Sequence, residues 1–357
     1  MKRAYVFAFS QTGIQTAERI VKAMESEYEC LIYTPEKFVQ KENTEILALP
    51  GSIGAFTGTV FQKADALVYV GACGIAVRAI APYIKSKTTD PAVLCVDERA
   101  TFCIALLSGH IGGGNRLTNE LACAIGAIAV VTTATDINKK FSVDTWATEN
   151  GYVISSLGAA KDISAAILER EIPIWADKQM KGKLPAGLCY GDAGELGIAV
   201  SIYDKEPFGR TLRLIPKVLT LGIGCRRGIS AEAIETAVSC VFAEKKLDLR
   251  AVERVTSIDL KVDEAGLLEF CEKKNLPVTF YTAEQLSSVP GEFSPSGFVK
   301  SVTGVDNVCE RSAAAEGGRI LVKKTALNGV TVAVSQKEWE VNFGSETLCD
   351  RNRAGSL

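Results

Sequence analysis

The sequence predicts an α/β chain with an N-terminal open parallel sheet carrying helices on both faces, a small α+β middle region and a separate α/β C-terminal domain. Three observations carry that reading. Short β-branched, aliphatic and aromatic runs alternate with segments whose apolar side chains recur at helical spacing, the pattern of a parallel sheet covered by helices. The alternation restarts near Val218, after the proline-bearing stretch Asp204 to Pro216. With 357 residues and 47% hydrophobic content, the chain is long enough for two or three filled cores.

Taken in order, Ala4 to Phe9 reads as a strand, followed by the turn Ser10-Gln11-Thr12-Gly13 and a helix from Ile14 to Met24. The basic start and apolar run stop at Ser10, too early for a secretory signal. Strands are expected at Cys30 to Tyr33, Ala66 to Val70, Ala92 to Val96, Thr101 to Leu106 and Ala127 to Val131. Helices are expected from Gly71-Ala72-Cys73-Gly74 through Ile80 and from Asn115 to Gly126. The middle region has a helix near Ala159 to Glu169 and strands at Ile172 to Ala176 and Leu196 to Tyr203. The last third reads as strand Val218 to Ile223, helix Ser230 to Glu244 with Ser230 as N-cap, strand Val255 to Ile258, helix Glu264 to Lys274 and strand Val278 to Tyr281. A hairpin then turns at Leu327-Asn328-Gly329 between Ile320 to Lys324 and Val330 to Val334. These patterns divide the chain into 1–137, 138–205, a linker at 206–216, a domain at 217–343 and a polar, disordered tail at 344–357.

Composition narrows the functional classes. A formal net charge of −2 leaves no broad basic field for nucleic acid. No run of about 18 apolar residues is available to cross a membrane. The 11 cysteines are odd in number, sit mostly in apolar segments and form no C-x-x-C pair, which suits reduced thiols in a cytoplasm. One histidine and no cysteine pair discount a dedicated metal site. The glycines at 222, 224 and 228 miss the dinucleotide spacing by one residue and no P-loop occurs, so a nucleotide cofactor is unsupported.

Chemistry concentrates in Leu107-Ser108-Gly109-His110-Ile111-Gly112-Gly113-Gly114-Asn115, which holds the sole histidine. A glycine-rich loop opening a helix offers backbone N–H groups to an anion, and histidine adds proton transfer near neutral pH. The plainer alternative makes the glycines turn residues and His110 a helix-entry residue. In a parallel sheet the loops after the strands' carboxyl ends share one edge. Ser10 to Gly13, Gly71 to Gly74, Ser108 to Asn115 and Thr132 to Asp136 are therefore expected to converge, with Arg78 as a clamp for a carboxylate. Singly, Arg78 reads as a surface arginine and Asp136 as a helix N-cap. Arg226 and Arg227, beside a helix start, also suit carboxylate groups.

Leu106 to Asn115, with Gly71-Ala72-Cys73-Gly74-Ile75-Ala76-Val77-Arg78 upstream and Thr132-Thr133-Ala134-Thr135-Asp136 downstream, resembles the cobalt-precorrin-5A hydrolase family of anaerobic cobalamin synthesis. Gly222-Ile223-Gly224-Cys225-Arg226-Arg227-Gly228 and Val305-Asp306-Asn307-Val308-Cys309-Glu310-Arg311-Ser312-Ala313 are similar to its C-terminal domain, which also occurs separately in the aerobic pathway. Gly114 departs from the alanine expected there. The resemblance implies opening of the δ-lactone of cobalt-precorrin-5A, release of acetaldehyde and contraction of the ring to give cobalt-precorrin-5B. Cobalt arrives with the substrate, no separate cofactor is implied, and other cobalamin-pathway enzymes are candidate partners.

The implied catalytic residues are His110, Ser108 and Asp136. Implied substrate contacts are Gly71, Cys73, Gly74, Arg78, Gly109, Gly112, Gly113, Gly114, Asn115, Thr133, Arg226, Arg227, Glu310 and Arg311. In this chemistry His110 serves as base and acid, and the N–H groups of Gly112 to Gly114 face the oxyanion. Ser108 as an acyl nucleophile activated by His110 is the weaker alternative, because residues two apart rarely face each other. His110 is also a candidate axial contact to the substrate's cobalt. A non-catalytic corrinoid-binding or handover protein would use the same loops, and turnover separates the two.

Overall fold

In a computed structural model, residues 1–39, 45–295, 301 and 304–344 are described. The chain forms two units, one from Met1 to Trp146 and a second beginning at Ala147. The first contains β1 (Lys2–Ala8), α1 (Gln11–Met24), β2 (Tyr28–Thr34), β3 (Ile46–Ala48), α2 (Ile53–Val60), β4 (Ala66–Val70), α3 (Cys73–Ile80), β5 (Ala92–Val96), β6 (Phe102–Leu107), α4 (Gly114–Ile125), β7 (Ile128–Val130) and α5 (Ala134–Ile137). Helix α6 (Val143–Glu149) follows.

The seven strands form one sheet in the order β3-β2-β1-β4-β5-β6-β7. Successive side chains of a strand point to opposite faces, so β1 serves two cores at once. Ala4, Val6 and Ala8 pack with Ile14 and Ile20 of α1 and Leu117 and Leu121 of α4. Tyr5 and Phe7 pack on the other face with Val60 of α2 and Ala76 and Ile80 of α3. Helices on both faces were the expectation, and the fold has them.

The sheet is not wholly parallel, however. β6 runs antiparallel to β5, and β7 is parallel to β6. The reason lies in the connection: β5 ends at Val96 and β6 begins at Phe102, leaving five residues, whereas a parallel return needs about a dozen or more. Asp97 pins the reversal by accepting from the Arg99 and Phe102 amides at 3.0 and 2.6 Å. The expected convergence of four loops is thereby corrected. Ser10 to Gly13 and Gly71 to Gly74 lie at one edge, while Ser108 to Asn115 and Thr132 to Asp136 lie at the other, about 17 Å away along five-residue β4 and β5.

The second unit holds β8 (Tyr152–Ile154), α7 (Leu157–Ala166), β9 (Ile172–Ala176), β10 (Met180–Lys181), β11 (Leu188–Tyr190), β12 (Leu196–Val200) and β13 (Arg210–Pro216). These are followed by β14 (Leu219–Cys225), α8 (Ala231–Lys245), β15 (Val252–Ile258), α9 (Ala265–Lys274), β16 (Val278–Tyr281) and α10 (Ala283–Ser288). Last come α11 (Val308–Ala314), β17 (Arg319–Leu327), β18 (Val330–Gln336) and β19 (Val341–Asn342). Two five-stranded sheets result, β11-β9-β12-β13-β8 and β16-β15-β14-β18-β17. The hairpin at Asn328-Gly329 forms, with both residues at positive φ as a type I′ turn requires. Ser230 caps α8 by accepting from the Ala233 amide.

The linker expected at 206–216 is not one. From Arg210 onward it is β13, paired with β12 on one side and β8 on the other, with Leu212, Leu214 and Ile215 fully buried. Arg213, on the same strand, is buried and pairs with Asp248 at 2.7 Å and with Asp204. Ile215 and Ile202 also pack in one cluster with Leu219 and Leu221 of β14, so the middle region shares a core with the C-terminal sheet. The expected tail lies, from residue 345 on, outside the described residues.

Limited proteolysis is accordingly expected to spare residues 210–216, and their amides to exchange slowly with solvent. Leu214→Ala should destabilise the protein by about 2–5 kcal/mol in denaturant titration. Ready cleavage within 210–216 would show that β13 is not a sheet strand.

Candidate active site

The site is built where β6 and β7 end side by side. Both run the same way, so α4 and α5 begin as neighbours at one edge of the sheet. Ser108 leaves β6 at a φ of 54°, in the left-handed region, and the chain folds back on itself through His110 to reach α4. That fold is tight. A Cβ at Gly112 would lie 2.4 Å from the Ser108 Cβ, and one at Gly109 would lie 2.5 Å from Asn115 Oδ1.

His110 Nε2 lies 3.2 Å from Asp136 Oδ2 and 3.2 Å from Thr135 Oγ1. Asn115 donates to Asp136 Oδ2 at 3.1 Å and to Thr133 Oγ1 at 2.8 Å, and the Thr133 hydroxyl also donates to Asp136. Asp136 Oδ2 is thus the hub on which groups from two strand ends converge. On the other side of the ring, His110 Nδ1 lies 3.8 Å from Asp144 Oδ2, an ion-pair distance longer than a hydrogen bond. The Lys87 ammonium is 4.0 Å from the same oxygen.

The hydrogen bond to Asp136 raises the His110 pKa above its ordinary value near 6.5; burial opposes this, and the charges of Asp144 and Asp136 add to it. Reciprocally, the bond to His110 holds the Asp136 carboxyl below the usual carboxylate range, aided by Thr133 and Asn115.

Several expected roles need correction. The amides of Gly113 and Gly114 donate to the carbonyls of His110 and Ser108 at 2.9 and 3.0 Å, so they hold the loop and are not aimed at an oxyanion. Ser108 is buried and its hydroxyl has no hydrogen-bond partner among the described residues, His110 included, which removes the basis for a serine nucleophile activated by His110. Both ring nitrogens of His110 face carboxylates of its own chain, and this argues against an axial contact to cobalt.

Gly71, Cys73, Gly74 and Arg78 occupy the opposite edge of the sheet, where exposed Arg78 bonds back to the Gly74 carbonyl at 3.2 Å. In the second unit, Arg226 lies against Gly329 and the exposed Arg227 pairs with Asp263. Glu310 is buried and accepts from Ser294 and from the Lys324 amide. Arg311 pairs with Asp306, donates to the carbonyls of Leu286, Ser287 and Val289, and lies over the Phe293 ring. Glu310 and Arg311 therefore brace their own unit. Asp144 was absent from the expected set, since nothing in Ser142-Val143-Asp144 beyond a helix start marks it.

Comparison with known proteins decides the family. Residues 55–136 match the family model Cobalamin synthesis G N-terminal, and residues 219–335 match Cobalamin synthesis G C-terminus. The chain is 31% identical to the cobalt-precorrin-5A hydrolase of Priestia megaterium, over 92% of this chain and 94% of that one. It belongs to the cobalt-precorrin-5A hydrolase family. It is 30% identical to the Salmonella typhimurium cobalt-precorrin-5A hydrolase, over 92% of this chain and 96% of that one. A crystal structure of a cobalamin biosynthesis protein G homologue from Sulfolobus solfataricus matches with 22% identity and a TM-score of 0.40, covering 94% of this chain and 97% of that one. As a member of the hydrolase family the chain is an enzyme of cobalamin biosynthesis, and its described residues include no helix long and apolar enough to cross a membrane.

Because His110 is the sole histidine, its ring gives one resolved signal in NMR. Its midpoint is expected above 6.5 and should fall in Asp136→Asn, which loses the largest contribution to the shift. A raised folded-state value stabilises the fold fully below the unfolded value, and this contribution is lost as pH rises through the folded one. Unfolding free energy should show that decline in the wild type and less of it in Asp136→Asn. A wild-type midpoint at or below 6.5 would contradict the geometry. Gly112→Ala, which forces a Cβ onto Ser108, is expected to destabilise by about 1–3 kcal/mol.

Proposed function

We propose that this protein hydrolyses the δ-lactone of cobalt-precorrin-5A and releases acetaldehyde to give cobalt-precorrin-5B, in the anaerobic, early-cobalt route to cobalamin. The observation that supports the reading is the hydrogen bond between His110 Nε2 and Asp136, held by Asn115 and Thr133. With Nε2 occupied, Nδ1 is the nitrogen left to exchange protons with substrate.

In the proposed sequence, neutral His110 takes a proton from water at Nδ1 as the water oxygen bonds to the lactone carbonyl carbon. Collapse of that adduct breaks the ring C–O bond, and the imidazolium returns the proton to the departing alkoxide. The freed hydroxyl then loses its proton as its carbon becomes the acetaldehyde carbonyl. The adjacent C–C bond breaks, its electron pair passes to the macrocycle, and the macrocycle takes up a proton. One water is consumed and no nucleotide or added metal is needed, since cobalt belongs to the substrate. Contacts to the ring's carboxylates fall to residues of the His110 edge. Gly71, Cys73, Gly74 and Arg78, at the other edge, would meet substrate only at a point separate from the reaction centre.

The test is acetaldehyde release from cobalt-precorrin-5A by purified protein without nucleotide or added metal. His110→Asn should lower turnover by about two to four orders of magnitude while corrinoid affinity changes little. Wild-type protein that binds the corrinoid without turnover would favour a handover role, and near-normal turnover in His110→Asn would remove His110 from the chemistry.

A further inference from the structure

We propose that Asp144 is a positioning residue that acts through His110, a second carboxylate placed on the Nδ1 side of the ring to balance the charge the ring acquires when it takes a proton. The assignment rests on the acid–base role of His110 given above.

Among the described residues, the polar and charged groups near the imidazole include Asp136 and Thr135 of α5, Asp144 of α6, and Lys87 of the loop before β5. An acidic residue in a helix's first turn is ordinary. Asp144 differs in that its side chain is only 6% exposed while its Oδ2 lies 3.8 Å from the ring and 4.0 Å from Lys87. A buried carboxylate is costly unless positive charge lies close by. Lys87 reaches it from solvent, with 60% of its side chain exposed, and the His110 ring lies on its other side, placed so that a proton taken up by the imidazole brings positive charge next to Asp144.

Asp136 alone serves that role incompletely. Its Oδ2 accepts from Thr133 and Asn115 besides His110, which spreads its charge over three donors. Asp136 fixes Nε2, and Asp144 keeps the opposite side of the ring next to negative charge without hydrogen-bonding Nδ1 directly. Nδ1 therefore stays available to a proton from substrate or water.

The experiment is a pH titration of the His110 ring signal, with pH profiles of kcat and KM for acetaldehyde release. Asp144→Asn should lower the His110 midpoint, move the acidic limb of kcat in the same direction and reduce kcat by about ten-fold or more with KM little changed. Asp144→Glu, which keeps the charge, should recover most of the midpoint. Lys87→Met, an exposed change, should raise the midpoint by unmasking Asp144, and it decides the matter if Asp144→Asn does not fold. An unchanged midpoint in folded Asp144→Asn, or in Lys87→Met, overturns the proposal. Absence of acetaldehyde release by wild type would instead overturn the hydrolase chemistry, and the ring titration, which needs no substrate, would still decide whether Asp144 acts on His110.

Discussion

The short reversal after β5 is the constraint on which the first unit depends. Five residues cannot carry the chain back across a sheet, so β6 must pair antiparallel, and Asp97 holds the turn by accepting two backbone amides. α4 then returns the chain to a parallel β7, and two loops that are distant in sequence leave the sheet side by side. Asp136 thereby meets His110 across 26 residues without a long connection reaching for it. Had β6 run with β5, these loops would instead have joined the edge that holds Ser10 and Gly71.

Much of this was legible because it depends on local pattern. β4 and β5 read as strands from their unbroken apolar runs, and the Asn328-Gly329 turn from its tolerance of positive φ. The proximity of His110 to Asp136 and Thr133 was anticipated through the ends of neighbouring strands. Its error lay in strand direction, although the brevity of Asp97 to Thr101 was already a signal against a crossover. β13 was obscured for a different reason. Its alternation of Leu212 and Leu214 with Arg213 lies among prolines, a glycine and charges that resemble a linker. Only tertiary structure shows Arg213 buried against Asp248 and Asp204.

Charge chemistry was less legible than apolar pattern, because a charged side chain declares its function only through its partners. Arg311 has the residue type of a carboxylate clamp, yet its guanidinium serves Asp306, three carbonyls and the face of Phe293. Glu310 likewise ties Ser294 and the Lys324 amide to α11. Both side chains spend their polar groups on their own unit, so their contacts account for them as braces of the fold. Asp144 is the converse case. Its sequence neighbourhood is unremarkable, and its contact with His110 depends on how the chain returns after α5.

The surroundings of His110 also discriminate between the two chemistries open to an imidazole beside a cobalt-bearing substrate. A metal ligand presents a neutral nitrogen lone pair, and its second nitrogen commonly donates to a carboxylate. One carboxylate at Nε2 would fit that pattern as well as acid–base work. The second breaks the tie, since Asp144 beside Nδ1 favours a proton there and would face an electron-rich lone pair with negative charge when the ring is neutral. The arrangement thus lowers the energy of the imidazolium, the state that would follow proton abstraction from water in the proposed chemistry. In the proposed chemistry, the placement of two carboxylates around one ring therefore favours proton transfer over ligation, an arrangement that the tight glycine-rich loop after β6 makes geometrically possible.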